Sequence, residues 1–286
     1  MAQQTQIARA EAYWIAWMER FPTVEALAAA SPADVLRTWR GLGYDRRALN
    51  LLRCARVVVA DHGGHLPTDV TTLERLPGLG PYTARALAAL AFGAPVGAVD
   101  VNVRRVVGRI VGGPGGDRDM GRTGLQAAAD ALVPADEPGR WTHALMDLGA
   151  TICRIREPRC PACPARPWCA AATAWDAGGA TTGATRKRAR GLRRPATDGT
   201  RRADGTAARE APGTFASTRR WLRGRILDRL RDADGDGWTI FDAAIGGHDP
   251  GTVIEALTTL AEEGMVEIAA ATEVGRSALR ARLPAR

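Results

Sequence analysis

Four cysteines lie close together in the chain: Cys153, Cys160, Cys163 and Cys169, in the pattern C-x6-C-x2-C-x5-C. Four thiolates at this spacing can surround one compact metal centre. A structural zinc site usually has two C-x2–4-C pairs separated by a longer span, whereas this run contains a single C-x2-C pair. Disulfides are rare in cytosolic proteins. The spacing therefore favours a [4Fe–4S] cluster over zinc, and with four protein ligands such a cluster would be structural.

A glycine-rich turn precedes a helical segment at residues 76–84, LPGLGPYTA. Gly78 and Gly80 allow a tight turn with positive φ and a close approach of the backbone to a ligand. The next helix would present free N–H groups at its start, which favour an anion such as a DNA phosphate. The turn, with Leu76 and Leu79 at its other positions, therefore predicts a DNA-binding hairpin. An ordinary turn between helices is the alternative.

A carboxylate lies between the hairpin and the cysteines, in the segment 97–105, GAVDVNVRR. Asp100 occupies the predicted N-cap of a helix, and a plain cap is the simplest interpretation. However, Asn102 and Arg104 follow within one turn, and the neighbouring residues are apolar. Asp100 could therefore face a cationic intermediate.

The elements that must position these residues are predicted to be helices. Apolar residues recur at helical spacing over 48–59, 84–92, 101–111, 124–133 and 140–152. We expect an all-α domain over residues 1–172 and a flexible linker over 173–213, rich in Gly, Thr, Ala and Arg. The net charge of +8 lies mostly in 186–202, which has eight Lys and Arg and one Asp. This run indicates a solvated tail or non-specific DNA contact.

Ordered structure is predicted to return over residues 214–286. The pattern indicates helices near 221–230, 240–245 and 253–260, then strands at 265–269 and 278–283. Three helices and a hairpin suggest a small winged-helix-like α+β domain. It could make auxiliary DNA contacts, or it could serve packing or dimerisation.

Taken in order, the hairpin LPGLG, the segment VDVNV-R and the cysteine run resemble the helix-hairpin-helix base-excision DNA glycosylases, the endonuclease III-like superfamily. The segments 3–6 (QQTQ), 20–23 (RFPT), 41–44 (GLGY) and 146–150 (MDLGA) are similar to the bacterial A/G-specific adenine branch. The resemblance covers residues 1–172. It implies a monomer that binds duplex DNA with a mismatched or oxidised base pair, flips adenine out and breaks its N-glycosidic bond.

The resemblance also implies roles for individual residues. Asp100 would stabilise an oxocarbenium-like sugar, and Asn102 would organise the site around it. Tyr44 would insert near the lesion pair, and Gln4 would wedge into the base stack.

Tyr82 is expected to distinguish the type of glycosylase. Bifunctional relatives have a lysine there, which attacks the sugar as a Schiff base. The only lysine of this chain is Lys187, in the predicted linker. A monofunctional enzyme that leaves an abasic site is therefore expected.

Two departures from the adenine branch keep other hypotheses open. Its general-acid glutamate would lie two residues before Met1, so the chain looks N-terminally truncated, and a catalytically impaired DNA-binding protein is one alternative. The C-terminal part also lacks resemblance to the branch's Nudix-like domain. A thymine or uracil mismatch glycosylase of the same fold is another alternative. With no secretory signal and no membrane-spanning apolar run, we expect a cytoplasmic, nucleoid-associated bacterial protein.

Overall fold

The computed structural model describes residue 1 and residues 7–178, 215–233, 237–271 and 279–285. This part of the chain is mostly helical and contains one small sheet, as predicted. The chain forms two compact units, one of Pro67–Ala203 and one that combines Met1–Leu66 with Asp204–Arg286. Among the described residues, no helix is both long and apolar enough to cross a membrane.

The helices of the described residues are α1 (Ile7–Arg20), α2 (Val24–Ala29), α3 (Pro32–Thr38), α4 (Arg46–His62), α5 (Val70–Arg75), α6 (Pro81–Phe92), α7 (Val101–Gly112), α8 (Gly116–Asp119), α9 (Gly121–Ala131), α10 (Pro138–Asp147), α11 (Ala170–Ala177), α12 (Arg219–Arg231) and α13 (Pro250–Glu262). The strands are β1 (Thr239–Phe241), β2 (Glu267–Ala270) and β3 (Leu279–Arg282). A π-helical turn, Leu148–Ile152, extends α10, and two 3-10 turns, Cys160–Ala162 and Arg166–Trp168, lie in the cysteine segment.

The unit Pro67–Ala203 contains α5 to α11. Its α7 buries an apolar stripe formed by Val103, Val106 and Val107, which packs with Ala129 of α9 and Leu145 of α10. Helices α9 and α10 therefore pack against α7, at whose N-terminus Asp100 lies. Helix α11 continues to Ala177, past the predicted domain end at residue 172. Most of the predicted linker lies outside the described residues.

The second unit is built from both ends of the chain. Leu36 of α3 and Leu49 of α4 share one buried core with Leu222 and Ile226 of α12 and Leu257 of α13. A separate core lies nearer the N-terminus, where Trp17 packs edge-on against Phe21 and Trp39. The segment from residue 215 onward thus completes the core beneath α3 and α4.

The C-terminal sheet corrects one prediction. The segment 240–245, predicted as a helix, begins with the last two residues of β1, which pairs antiparallel with β3, and the strand order is β1-β3-β2. Ile240 is exposed and Phe241 is buried, which is the alternation of a strand. A short apolar run is ambiguous between helix and strand, and these β-branched and aromatic residues favour the strand. The predicted antiparallel strands near 265–269 and 278–283 are observed as β2 and β3.

Candidate functional site

The Asp100 carboxylate is fixed at the N-terminus of α7. Its Oδ1 accepts hydrogen bonds from the backbone N–H groups of Asn102 (2.8 Å) and Val103 (2.7 Å). Its Oδ2 accepts from the Asn102 side-chain Nδ2 at 3.2 Å. The predicted N-cap is therefore confirmed, and three donors hold one half-buried carboxylate in a single orientation.

A buried arginine holds Asn102 in turn. Arg105 donates to Asn102 Oδ1 (3.0 Å) and to the carbonyls of Gly149 (2.6 Å) and Cys153 (2.7 Å). A Cβ at Gly149 would lie 2.7 Å from the Asn102 Cβ, so only glycine allows the π-helical turn to approach α7 this closely. A continuous set of hydrogen bonds therefore joins Asp100 to the first cysteine of the cysteine run.

The segment before Asp100 is also held in place. The Asp130 carboxylate accepts from the Gly97 N–H (2.8 Å), from Gln126 Nε2 (3.1 Å) and from Arg85, which also donates to the Gly97 carbonyl at 2.8 Å. Both backbone groups of Gly97 are thereby satisfied by side chains of α6 and α9. The chain entering Asp100 is fixed on both sides.

Tyr82 lies near this carboxylate. Its hydroxyl donates to the Met146 sulfur at 3.9 Å. Burial raises the pKa of the Tyr82 phenol, and the negative charge of Asp100 raises it further. The phenol is therefore neutral around pH 7. Residue 82 thus offers no amine that could act as a nucleophile beside Asp100.

The hairpin between α5 and α6 is a tight turn, closed by the hydrogen bond from Leu79 N–H to the Leu76 carbonyl (3.1 Å). Gly78 has φ 85°, in the left-handed region, as predicted. Gly80 does not: its φ of −82° is ordinary extended backbone, and it serves as the N-cap of α6. Without a side chain there, and with Pro81 at the first helical position, the N–H groups at the start of α6 remain accessible. Leu76 is buried, so it anchors the turn through its side chain.

The four cysteines of the run line one pocket, together with Arg109 and the apolar residues Val106, Ile110 and Trp175. Arg109 donates to the Cys153 sulfur at 3.3 Å, and Cys169 donates to the Arg109 carbonyl at 3.5 Å.

The thiols that line this pocket affect one another electrostatically. Burial raises the pKa values of Cys160 and Cys163, and the neighbouring thiols raise them further. In the described part of the chain, no group of three His, Cys, Asp or Glu side chains is placed closely enough to hold a metal ion. The set of four thiols in one apolar pocket fits a thiolate-bound centre in its donor chemistry.

Two predicted DNA-contacting residues lie elsewhere. Tyr44 belongs to the other unit, at the turn before α4, with φ 53° and a half-exposed ring. Gln4 lies outside the described residues. The unit Pro67–Ala203 thus brings together Asp100, Asn102 and Tyr82.

Sequence reasoning missed Arg105, Arg85 and Asp130. A signal existed for Arg105, which lies three residues after Asn102 and four before Arg109, so one helix face carries all three. No local signal pointed to Arg85 and Asp130, because they meet across 45 residues of sequence.

Comparison with known proteins identifies relatives that are similar in sequence. Residues 1–122 match the model of the HhH-GPD superfamily base excision DNA repair protein. The adenine DNA glycosylase of Mycolicibacterium smegmatis is 40% identical over 98% of this chain and 84% of the relative. The human adenine DNA glycosylase is 42% identical over 60% of this chain, but this covers only 32% of the human protein.

Solved structures agree in fold. A thermostable thymine-DNA glycosylase superposes with a TM-score of 0.52 and 29% identity, over 57% of this chain and 75% of that one. A trapped endonuclease III–DNA covalent intermediate superposes with a TM-score of 0.50 and 25% identity, over 60% and 79%. The chain belongs to the HhH-GPD superfamily of base-excision DNA repair proteins and, within it, to the adenine DNA glycosylase family, and it is a DNA N-glycosylase.

Proposed function

We propose that this enzyme is monofunctional and removes adenine that is mispaired with guanine or 8-oxoguanine, leaving an abasic site. The observation that carries the proposal is the Asp100 carboxylate, held by three hydrogen bonds beside a neutral Tyr82. A fixed carboxylate in a half-buried site stabilises positive charge as it develops on the sugar during cleavage of the N-glycosidic bond. With a phenol in place of an amine, no Schiff base forms, and water completes the reaction.

Adenine is favoured as the base because relatives that match 98% and 82% of this chain are adenine DNA glycosylases. Thymine opposite guanine is the second candidate, favoured by the superposition on a thymine-DNA glycosylase. The substrate assay distinguishes the two.

The proposed partner is duplex DNA, bound by a monomer. The exposed hairpin at Gly78 and the open N-terminus of α6 support a phosphate contact in the unit that carries Asp100. The endonuclease III neighbour was solved as a covalent complex with DNA. Phosphate contacts of this kind position a duplex without reading its sequence.

The proposed cofactor is a structural [4Fe–4S] cluster held by Cys153, Cys160, Cys163 and Cys169. Its chemistry here would be confined to thiolate ligation that ties the cysteine segment together. Arg109, which contacts the Cys153 sulfur, would offset the negative charge of the thiolates. Apolar side chains form most of the rest of the pocket, and this environment supports the same proposal.

The test is single-turnover base release from duplexes carrying A opposite 8-oxoguanine, A opposite G, or T opposite G. Iron and acid-labile sulfide are measured in the same preparation, and about four of each per chain are expected. Strand breaks should appear with the adenine duplexes only after alkali treatment. Breaks before alkali would contradict monofunctional chemistry, and release from T opposite G alone would replace adenine by thymine.

Asp100→Asn is the informative variant, with Asp136→Asn as the matched control on an exposed carboxylate of the same unit. We expect Asp100→Asn to slow adenine release at least about 100-fold, because it removes the charge that faces the sugar. Asp136→Asn should match the wild type. Equal rates for all three proteins would remove Asp100 from the proposed mechanism.

A further inference from the structure

A wide groove of about 1010 Å³ lies within the unit formed by the two ends of the chain. One wall is the turn Gly41–Asp45 together with the start of α4, and the other wall is α12. The groove is separate from Asp100 and from the cysteine pocket, whose residues belong to the other unit. Its lining includes Tyr44, which the family resemblance places near the lesion pair, but no role has been given to the arginines around it.

The groove is lined by more positive than negative side chains. Its arginines are Arg46, Arg47, Arg220, Arg223, Arg225 and Arg231, and its carboxylates are Asp45, Asp228 and Glu263. Each carboxylate already has a partner among these arginines. Arg223 pairs with Glu263 (2.6 Å), Arg225 with Asp228 (2.7 Å) and Arg231 with Asp45 (2.5 Å).

Two of the remaining arginines lie on different walls of the groove. Arg46 begins α4 and Arg220 lies in the first turn of α12, and both side chains are exposed. Neither forms an ion pair with a carboxylate of the described residues. Exposed guanidinium groups that lack an internal carboxylate suit phosphate, because their planar N–H groups match its oxygens in pairs.

An aromatic ring lies at the same place. The Arg220 guanidinium sits 4.5 Å from the centre of the Tyr44 ring, which is 45% exposed. The turn that carries the ring is constrained, since Gly41 (φ 89°) and Gly43 (φ 73°) are left-handed and Trp39 Nε1 donates to the Gly43 carbonyl at 3.0 Å. Arg220 is thus stacked on a ring that is presented in a fixed position.

We propose that this groove binds the phosphodiester backbone of duplex DNA, with Arg46 and Arg220 each contacting a phosphate. The C-terminal segment from residue 215 onward is then part of the DNA-binding surface, and α12 supplies one of its two walls. Stacking on Tyr44 orients the Arg220 guanidinium toward the groove. The proposal rests on the proposed function only in taking DNA as the substrate.

The experiment measures the affinity of the full chain for an undamaged fluorescein-labelled duplex by anisotropy, over about 50 to 200 mM KCl. The variants are Arg220→Gln, Arg46→Gln and the double variant. Loss of one phosphate contact lowers the slope of log affinity against log salt by about 0.9. We expect that loss in each single variant and about twice that loss in the double variant.

Two further variants serve as controls. The first tests whether the positive charge at residue 220 is enough without a guanidinium, and the second tests whether loss of a nearby charge outside the groove has the same effect. Arg220→Lys keeps the charge and should largely retain the slope. Arg219→Gln removes the same charge from the neighbouring residue, which pairs with Glu255 (2.9 Å) and does not line the groove. It should retain the wild-type slope.

Slopes for Arg220→Gln and Arg46→Gln that equal the Arg219→Gln slope would overturn the proposal. Thermal unfolding checks that the variants are folded. Because the two arginines lie on different walls of the groove, the test can be made even if only one of the two single variants folds. If the variants show the expected slopes but the protein releases no adenine, the proposed function is refuted and the proposal that the groove binds DNA is retained. If the protein releases adenine but the variants leave the slope unchanged, the proposed function is retained and the proposal for the groove is refuted.

Discussion

At the residue scale, Arg105 has a role in both stability and the site. It is a buried arginine that pairs with no carboxylate in the part of the chain that the structure describes, and its guanidinium donates to Asn102 and to backbone carbonyls of α7 and of the segment 149–153. The planar fork of N–H donors makes this possible, and an ammonium group offers no equivalent. Removing the side chain takes this donor away from the buried Gly149 carbonyl, the part-buried Cys153 carbonyl and the Asn102 side chain.

We predict that Arg105→Met lowers the free energy of unfolding by about 2–5 kcal/mol, because each unsatisfied buried carbonyl costs about 1–3 kcal/mol. Urea denaturation measures the change. Asn102 loses its partner in the same variant, so single-turnover adenine release should fall as well. Arg104→Gln is the control, since Arg104 is exposed and contacts only the Asp117 carbonyl. An Arg105→Met protein as stable as Arg104→Gln would contradict this account of the buried guanidinium.

At the element scale, the hairpin depends on one backbone conformation. Gly78 alone in the turn has positive φ, and an L side chain there costs about 1–2 kcal/mol. We predict that Gly78→Ala destabilises the protein by this amount and weakens binding to an undamaged duplex several-fold. Gly80→Ala is the matched control, because Gly80 is extended and a Cβ there meets no atom within 4 Å. Its effect on stability should stay below about 1 kcal/mol. Equal losses in the two variants would show that the positive φ is not the cause.

The elements themselves could be predicted from sequence where periodicity was long and caps were strong. The helix predicted over 101–111 is observed as α7, and its cap at Asp100 followed from residue type and position alone. The predicted helix over 140–152 is α10 until Asp147 and then a π-helical turn. The π turn escaped prediction because it arises from the close contact of Gly149 with Asn102, a feature of packing. Gly80 shows the same limit, since a glycine pattern does not specify which residue takes positive φ.

At the scale of the whole molecule, sequence order misled the assignment of the core. The pattern placed residues 1–172 in one domain and 214–286 in another, yet α3 and α4 bury Leu36 and Leu49 against α12 and α13. Both parts have helical periodicity of their own, and periodicity says which face is buried but not what buries it. Contacts such as Arg40 with Asp232 join residues 192 positions apart, which no local pattern encodes.

Among the arginines that link the chain ends in this unit, Arg231 is buried and Arg40 is exposed. The Arg231 side chain is 4% exposed, pairs with Asp45 and Asp228, and donates to the Leu36 carbonyl at 3.1 Å. Arg40 pairs with Asp232 across the surface, where both side chains are about half exposed. Solvent screens the second pair, so it contributes little to stability.

We therefore predict effects of different size on the free energy of unfolding for two substitutions that each break a link between the chain ends. Arg231→Met should lower the free energy of unfolding by about 3–5 kcal/mol, because it leaves the half-buried charge of Asp45 without its partner and the Leu36 carbonyl without this donor. Arg40→Gln should leave it close to the wild-type value, because solvent screens the exposed pair. Urea denaturation followed by tryptophan fluorescence measures both, since Trp39 lies in the affected unit. Similar stabilities for the two variants would mean that the joint core of Leu36, Leu49 and Leu222, and not the buried ion pairs, holds the two ends of the chain together.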